Sequence, residues 1–267
     1  MRYNCSMPSL LNSTSHTQES QRHFMDGVLR CSRYAFGPNR LHYCGPDANY
    51  EIRSYINEGA SDPGLRQLLR EFQTMFPYLR HIADANDIQD PFDGRVVEAY
   101  WLGNELLERV DARAFYCHLV EDQKIRHIIG AKSFELVAQK INQGAVPHHS
   151  FHVLEVWRRT GHLDREHTLG SMDECRVSWG SVLTAEGPTL TVLTEPLLYA
   201  QGKLILGNPV EKKLVRQLEA EYDIEQIKRG DNVSIHWSVP CEAISKHQAA
   251  MLKKYTLRHL DLANQTI

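Results

Sequence analysis

The sequence contains no cluster of basic residues and no long apolar run, and each absence excludes a class of function. Its 30 Lys and Arg are outnumbered by 33 Asp and Glu, which gives a net charge of −3. Surfaces that bind nucleic acid concentrate positive charge, so we expect no nucleic-acid partner. A membrane-spanning helix needs about 18 or more consecutive apolar residues, so we expect no membrane partner either.

Several catalytic and binding motifs are also missing. The chain has no Gly-x-Ser-x-Gly sequence, which disfavours a serine hydrolase with a nucleophile elbow. It has neither Gly-x-Gly-x-x-Gly nor a P-loop, so we expect no nucleotide cofactor. Without a Cys-x-x-Cys pair, the sequence does not predict a closed structural zinc site.

Residues 1–20 are polar and Ser-rich and lack the apolar core of a secretory signal, so we expect a flexible N-terminal tail and a cytoplasmic protein. Thiols stay reduced in that compartment, and the cysteines are too sparse for a disulfide scaffold. The six cysteines are Cys5, Cys31, Cys44, Cys117, Cys175 and Cys241. The 267 residues suffice for one large domain or two ordinary ones.

Residues 21–168 carry apolar side chains at helical spacing. Asp62-Pro63, Asp90-Pro91 and Asp111 are helix start signals, because an Asp side chain caps free N–H groups and Pro suits the first turn. A further helix is predicted from Pro147 to Trp157. Helix follows helix, so this part is predicted to be an all-α bundle.

The periodicity changes near residue 171. Short β-forming runs start at Arg176, Thr189, Leu197 and Asn232. A short helix is predicted within residues 209–222, and a last helix from Ser245 to Ala263. We therefore predict an α+β multidomain chain: an all-α bundle over 21–168, then a small β-barrel with a terminal helix over 171–267.

A loop rich in Tyr, Phe, Arg and Cys is predicted where Gly and Pro interrupt the first helix. The motif is Tyr34-Ala-Phe-Gly-Pro-Asn-Arg-Leu-His-Tyr-Cys-Gly-Pro46. It resembles an uncharacterised bacterial family that shares the pattern Tyr-Ala-Phe-x-Pro-Asn-x-Leu-x-Tyr-Cys-Gly-Pro. Cys44 is a candidate metal ligand in this loop, and the pocket candidates are Tyr34, Phe36, Asn39, Arg40 and Tyr43.

The chain has 14 histidines, and the densest group follows Pro147. On a helix, His148 and His152 would share a face at a spacing of i,i+4, with Glu155 one turn further and His149 beside them. Nitrogen and oxygen donors at this spacing suit iron or another transition metal. Alternatively, the first histidines cap the helix or line a pocket.

Two C-terminal segments resemble one known family. They are Cys175-x-x-x-x-Gly180-x-Val182 and Gly230-Asp-Asn-Val-Ser-Ile-His236. They resemble the HypC/HupF-type chaperones of nickel–iron hydrogenase maturation. That resemblance implies an oligonucleotide-binding-type (OB-like) barrel, with Cys175 as the residue that helps carry an iron–cyanide–carbonyl precursor. It also makes Gly180, Asp231 and His236 candidates for docking a partner.

These patterns lead to three expectations about function. The first is an accessory or maturation factor for a nickel–iron hydrogenase-like metalloenzyme, which binds a metal fragment or small ligand. Its partners would be a hydrogenase large subunit or other maturation proteins. The second is a metal- or haem-dependent, oxygenase-like enzyme in the helical domain, and the third is an interaction protein without a metal. The sequence leaves open whether the protein is an enzyme.

Overall fold

The computed structural model describes residues 26–160, 167–216 and 226–267, so the predicted tail over 1–20 lies outside the described residues. The N-terminal half is helical, as predicted. Its α-helices are α1 (Gly27–Asn39), α2 (Asn49–Glu58), α3 (Pro63–Arg70), α4 (Met75–Asp84), α5 (Gly94–Trp101), α6 (Ala112–Cys117), α7 (Ile125–Ile141), α8 (His149–Phe151), α9 (Arg158–Thr160) and α10 (Leu169–Cys175). A 3₁₀ helix covers Glu105–Arg109.

The helix starts follow the capping chemistry of the sequence. Asp62 accepts a hydrogen bond from the Leu65 N–H, and Asp111 accepts one from the Arg113 N–H. Each carboxylate satisfies a backbone donor that the first helical turn leaves free. Among the helices that the structure describes, none has the length and apolar character needed to cross a membrane.

Two short π-helical segments interrupt the helical half, at His118–Asp122 and at His152–Trp157. The second continues α8 directly. A π turn holds one more residue than an α turn, and such bulges are frequent at functional sites. The extra residue changes which side chains share a face along residues 149–157.

The C-terminal half is built on an antiparallel sheet of five strands in the order β5-β2-β1-β6-β7. Its strands are β1 (Ser178–Glu186), β2 (Thr189–Thr194), β5 (Val210–Val215), β6 (Asn232–His236) and β7 (Val239–Ile244). A separate hairpin pairs β3 (Leu197–Ala200) with β4 (Lys203–Leu206). The chain ends in α11 (Lys246–Ala263), followed by a 3₁₀ turn at Asn264–Thr266.

Two expectations about this half are wrong. Within the described residues the five strands form an open sheet with β5 and β7 at its edges, and not a closed OB-like barrel. Residues 210–215, expected to be helical, form the edge strand β5, which pairs with β2. The final helix is confirmed: Ser245 caps α11 in a reciprocal capping box with Gln248.

The largest buried apolar cluster draws on both halves of the chain. It combines side chains of the helices with Val177, Cys241, Leu252 and Tyr255. A buried ionic network adds polar contacts between the halves. In it, Arg30 on α1 contacts Glu242 on β7 at 2.8 Å. The division at residues 168–171 stays a prediction, and the packed core is continuous across it.

Candidate metal centre

Three side chains that are far apart in the sequence meet at one buried point. His149 begins α8, Cys175 ends α10 and His236 ends β6. One ring nitrogen of each histidine and the Cys175 Sγ all lie within 4.8 Å of one another. We call this group the His/Cys/His cluster. Imidazole nitrogen and thiolate sulfur are ligands that zinc, iron and copper accept, so the cluster has the donors and the spacing to hold a metal ion.

A hydrogen bond to helix α1 orients His236. Its Nδ1 donates to the backbone carbonyl of Tyr34 at 2.7 Å. That carbonyl is available because Pro38, four residues later in α1, has no N–H to bond it. A carbonyl only accepts, so Nδ1 carries the proton and Nε2 keeps its lone pair. Nε2 has no hydrogen-bond partner in the part of the chain that the structure describes.

Helix α1 approaches the end of β6 closely at Gly37. A Cβ added there would lie 2.7 Å from the backbone carbonyl oxygen of His236. Any larger residue at this position would push helix and strand apart. Gly37 and Pro38 therefore act together: one permits the approach, and the other frees the Tyr34 carbonyl for the His236 ring.

His149 uses both ring nitrogens in the described structure. Nε2 donates to the backbone carbonyl of Cys175 at 2.8 Å, and Nδ1 lies 3.1 Å from the Tyr100 hydroxyl. The Cys175 carbonyl is free to accept because helix α10 ends there. A metal ion bound at Nε2 would have to displace this hydrogen bond, whereas Nε2 of His236 is already free.

All three members of the cluster are neutral at pH 7 without a metal. Burial lowers the pKa of His236 to about 4, opposed by the carbonyls of Tyr34 and Cys175. Burial, and after it the neighbouring His236, holds the pKa of His149 well below its usual value.

The Cys175 thiol is neutral for the same reason. Burial raises its pKa, the nearby Cys44 raises it further, and the neighbouring Trp237 indole opposes the shift. The cluster is therefore not a thiolate–imidazolium pair of the kind that activates a nucleophilic cysteine. A bound cation would instead displace the thiol proton.

The cluster lies on the wall of a cavity of about 760 Å³. This volume is in the range of small-molecule binding sites. Cys44 and His152 also line it, so its wall carries two further donors. Aromatic side chains form much of the remaining wall: Tyr43, Phe72, Tyr100, Trp101, Trp157 and Trp237. Four polar residues of the lining are exposed and mark where the cavity opens to solvent: Gln73, Asp122, Lys124 and His127.

A strained hairpin turn fixes His236 and Trp237 at the cavity. Trp237 and Ser238 connect β6 to β7 with φ values of 52° and 59°. Consecutive positive φ angles suit Asn-Gly, and they are costly for a Trp-Ser pair. Glu174 stabilises the turn, because its carbonyl accepts from the Trp237 N–H and its carboxylate accepts from the Ser238 hydroxyl.

The histidine group predicted after Pro147 is divided by the structure. His148 has an extended backbone conformation as the N-cap of α8, so it does not share a helical face with His152. Its Nδ1 accepts from the Ser150 N–H and its ring stacks on Tyr255, away from the cluster. Glu155 is fully buried in an ion pair with Arg159 at 2.8 Å. Neither His148 nor Glu155 lies at the cluster.

The predicted loop over 34–46 is shorter than expected. Helix α1 continues through Asn39, so Tyr34 and Phe36 are buried helical residues, and the loop covers Arg40 to Pro46. Tyr43 and Cys44 line the cavity, and burial raises the pKa of the Cys44 thiol to about 12. Cys44 is nevertheless exposed by surface area, so solvent reaches the residue.

The remaining loop candidates hold the loop in place. Asn39 is buried and donates from Nδ2 to the carbonyls of Cys44 and Pro46, at 3.0 and 2.7 Å. Arg40 donates to the Trp237 carbonyl at 3.2 Å and so ties the loop to the strained turn. Both residues position Tyr43 and Cys44.

The three residues predicted to dock a partner do not form one surface. His236 is 1% exposed and belongs to the cluster. Gly180 is buried in β1, where a Cβ would meet Val192 at 2.9 Å. Asp231 lies in the turn before β6 and accepts from the Lys228 N–H at 3.0 Å.

Two residues of the aromatic wall, Tyr100 and Trp101, were not among the predicted site residues. Tyr100 and Trp101 belong to the apolar stripe of α5, which at helical spacing predicts packing. Their neighbours in space, His149 and His236, come from segments more than 40 residues away in the chain. Trp237 could have been predicted at the site only from its position directly after His236, at the end of a predicted strand.

The fold and the cluster define an α+β protein with a buried His/Cys/His group that faces an aromatic-lined cavity. The chain belongs to a family of unknown function (DUF6390), whose model matches residues 23–267. No curated protein and no solved structure matches the chain, so no named relative supports the HypC/HupF resemblance.

Proposed function

We propose that the protein binds a transition-metal ion, iron or another, through His149, Cys175 and His236, and uses it to act on a small molecule in the cavity. The observation that carries the proposal is the convergence of three donor side chains, one of which, His236, has a buried Nε2 without a hydrogen-bond partner among the described residues. A buried nitrogen without a partner is costly unless a ligand occupies it.

The donor number supports reactive rather than structural metal binding. Structural zinc sites are closed by four protein ligands, and catalytic sites hold the metal with three and keep a position for water or substrate. The cluster supplies three, and the space beside it is the cavity. Thiolate with two imidazoles suits zinc, copper and iron better than magnesium or calcium.

A role as a maturation factor for a nickel–iron hydrogenase-like enzyme is a second proposal. What supports it is a cysteine beside a cavity that can hold a metal fragment with its small ligands. Gly180 and His236 are buried, so docking would need other residues. Co-purification with a hydrogenase large subunit tests it. A complex that forms in wild type and is lost in Cys175→Ala supports the role, and no complex with wild type contradicts it.

Cobalt(II) binding tests the first proposal, because cobalt takes the place of zinc or iron and reports its ligands by absorption. We expect one equivalent of Co²⁺ to bind and to produce a thiolate-to-cobalt charge-transfer band. Cys175→Ser should abolish that band, and His236→Ala should weaken Co²⁺ affinity by at least about tenfold. Binding should release a proton as the thiol ionises.

Cys117→Ser is the matched control for the thiol. Cys117 lies on α6 and is not among the residues that line the cavity, so its loss should leave the spectrum unchanged. A charge-transfer band that survives Cys175→Ser, or no stoichiometric Co²⁺ binding to wild type, would contradict the proposal.

A further inference from the structure

We propose that the cavity receives a small anionic molecule with a planar aromatic body, which reaches the metal through its anionic group. This inference rests on the proposed function and names the class of molecule that binds there. Arylcarboxylates represent the class. Three features of the cavity carry the inference: its charge, an unpartnered imidazole and its aromatic wall.

The charge of the loaded cluster favours an anion. A divalent metal bound by one thiolate and two neutral imidazoles has a net charge of +1. Among the described residues that line the cavity, Asp122 is the acidic one, and it lies at the opening in an ion pair with Arg80 at 2.7 Å. An uncompensated charge in a buried site is unfavourable, so an anionic fourth ligand is preferred.

His152 supplies a second polar contact for such a ligand. It lines the cavity one helical turn after His149, and the two ring centroids are 6.4 Å apart. Its buried Nδ1 has no hydrogen-bond partner within the described ranges. A carboxylate has two oxygens, so one can bind the metal while the other accepts a hydrogen bond from the His152 ring.

The aromatic wall fits a planar body. Tyr43 packs on Trp237 with ring centroids 4.2 Å apart, and it meets the edge of Trp157 at 6.3 Å. All three rings line the cavity. Aromatic pairs gain about 0.5–1.5 kcal/mol beyond the burial of their area, so a planar ring is preferred over an aliphatic group of equal size.

The opening adds attraction for an anion. Lys124 lies there and is exposed, directly before α7, with a left-handed φ of 52°. A lysine at the entrance raises the local concentration of anions. Asp122 nearby is already paired, which leaves the entrance with an exposed ammonium group.

The experiment compares three ligands on the Co²⁺-loaded full-length protein. They are 2-naphthoate, acetate, which lacks the ring, and 2-naphthamide, which lacks the charge. The visible spectrum of Co²⁺ reports coordination, and tryptophan fluorescence reports contact with the wall. We expect 2-naphthoate to bind at least about tenfold more tightly than either comparison ligand, and more weakly when Co²⁺ is removed.

Trp157→Leu separates the ring contact from the metal contact. We expect this substitution to lower the affinity for 2-naphthoate by roughly two- to tenfold, the factor that corresponds to one aromatic pair. The affinity of the variant protein for Co²⁺ and for acetate should stay unchanged. Tyr43→Leu is the second variant with the same expectation.

The outcomes distinguish this inference from the proposed function. Co²⁺ binding with equal affinities for acetate and 2-naphthoate overturns the aromatic class and leaves the metal site standing. Equal affinities for 2-naphthoate and 2-naphthamide overturn the requirement for an anion. Failure of wild type to bind Co²⁺ overturns the proposed function and this inference with it.

Discussion

At the scale of single residues, the orientation of His236 depends on two neighbours in α1 whose side chains cannot bind a metal. Pro38 leaves the Tyr34 carbonyl without its helical partner, and the His236 ring takes that place. Gly37 lets the backbone of His236 approach. When a residue that contacts a metal-binding histidine and fixes its tautomer is mutated, the metal affinity falls by about 10- to 100-fold.

Gly37→Ala is therefore expected to lower Co²⁺ affinity by about tenfold or more. The new methyl group would lie 2.7 Å from the His236 carbonyl, so β6 or α1 must shift, and the free Nε2 moves with it. Isothermal titration with Co²⁺ measures the effect.

Gly170→Ala is the matched control, since Gly170 is helical in α10 and the nearest atom to its added Cβ is the Thr168 Oγ1 at 3.6 Å. It should leave the affinity unchanged. Equal affinities of the two variants would mean that the close approach at Gly37 does not position His236.

Residue types predicted part of the cluster, and the chain order concealed the rest. His149 was a candidate ligand because of its place in the histidine group, and Cys175 because of the family resemblance. His236 was predicted to dock a partner, because it belongs to the segment that resembles the HypC/HupF-type family. That segment does not show that the end of β6 packs against helix α1. The predicted pairing of His148 with His152 is wrong because His148 caps α8 in an extended conformation. A spacing of i,i+4 places two ligands on one face only when both residues belong to the same helix.

At the scale of elements, the β6–β7 hairpin carries the strain that positions the cavity wall. Both residues of its turn have positive φ angles, and neither is glycine. A left-handed conformation costs a residue with a side chain about 1–2 kcal/mol. The hydrogen bonds to Glu174 and Arg40 hold the turn against that cost.

A pair of substitutions at Ser238 measures this strain. Both Ser238→Gly and Ser238→Ala remove the hydroxyl that donates to Glu174. Only glycine relieves the left-handed conformation. We therefore expect the glycine variant to have a free energy of unfolding about 1 kcal/mol higher than the alanine variant, measured by urea denaturation. An alanine variant of equal or higher stability would show that the turn is unstrained.

Elements with strong local signals could be predicted, and those defined by distant pairing could not. The helix that begins at Ser245 has a capping pair in the sequence, and the structure has α11 there. Strand β5 has Leu214 as its buried residue and is otherwise largely exposed, so its sequence shows no strand alternation. Closure of a sheet depends on whether its edge strands pair, and β5 and β7 lie about 25 residues apart in the chain.

At the scale of the whole molecule, the packing keeps several histidines neutral. Burial lowers the pKa of His81 to about 4 and that of His148 to about 3, and it holds the pKa of His259 well below the usual value. In the unfolded chain each has a pKa of about 6.5. Below that pH the unfolded chain binds protons that the folded chain does not, so the free energy of unfolding must fall with falling pH.

We expect the metal-free protein to lose stability between about pH 6.5 and about pH 4, by up to roughly 1.4 kcal/mol per pH unit for each fully buried histidine. Urea denaturation at a series of pH values gives the slope. His81→Gln should reduce that slope relative to wild type. Glu155, whose pKa burial raises, acts in the opposite direction, so the comparison with wild type isolates the histidine. A stability that stays constant from pH 7 to pH 5 would mean that these imidazoles accept protons in the folded protein, and that its interior is open to water.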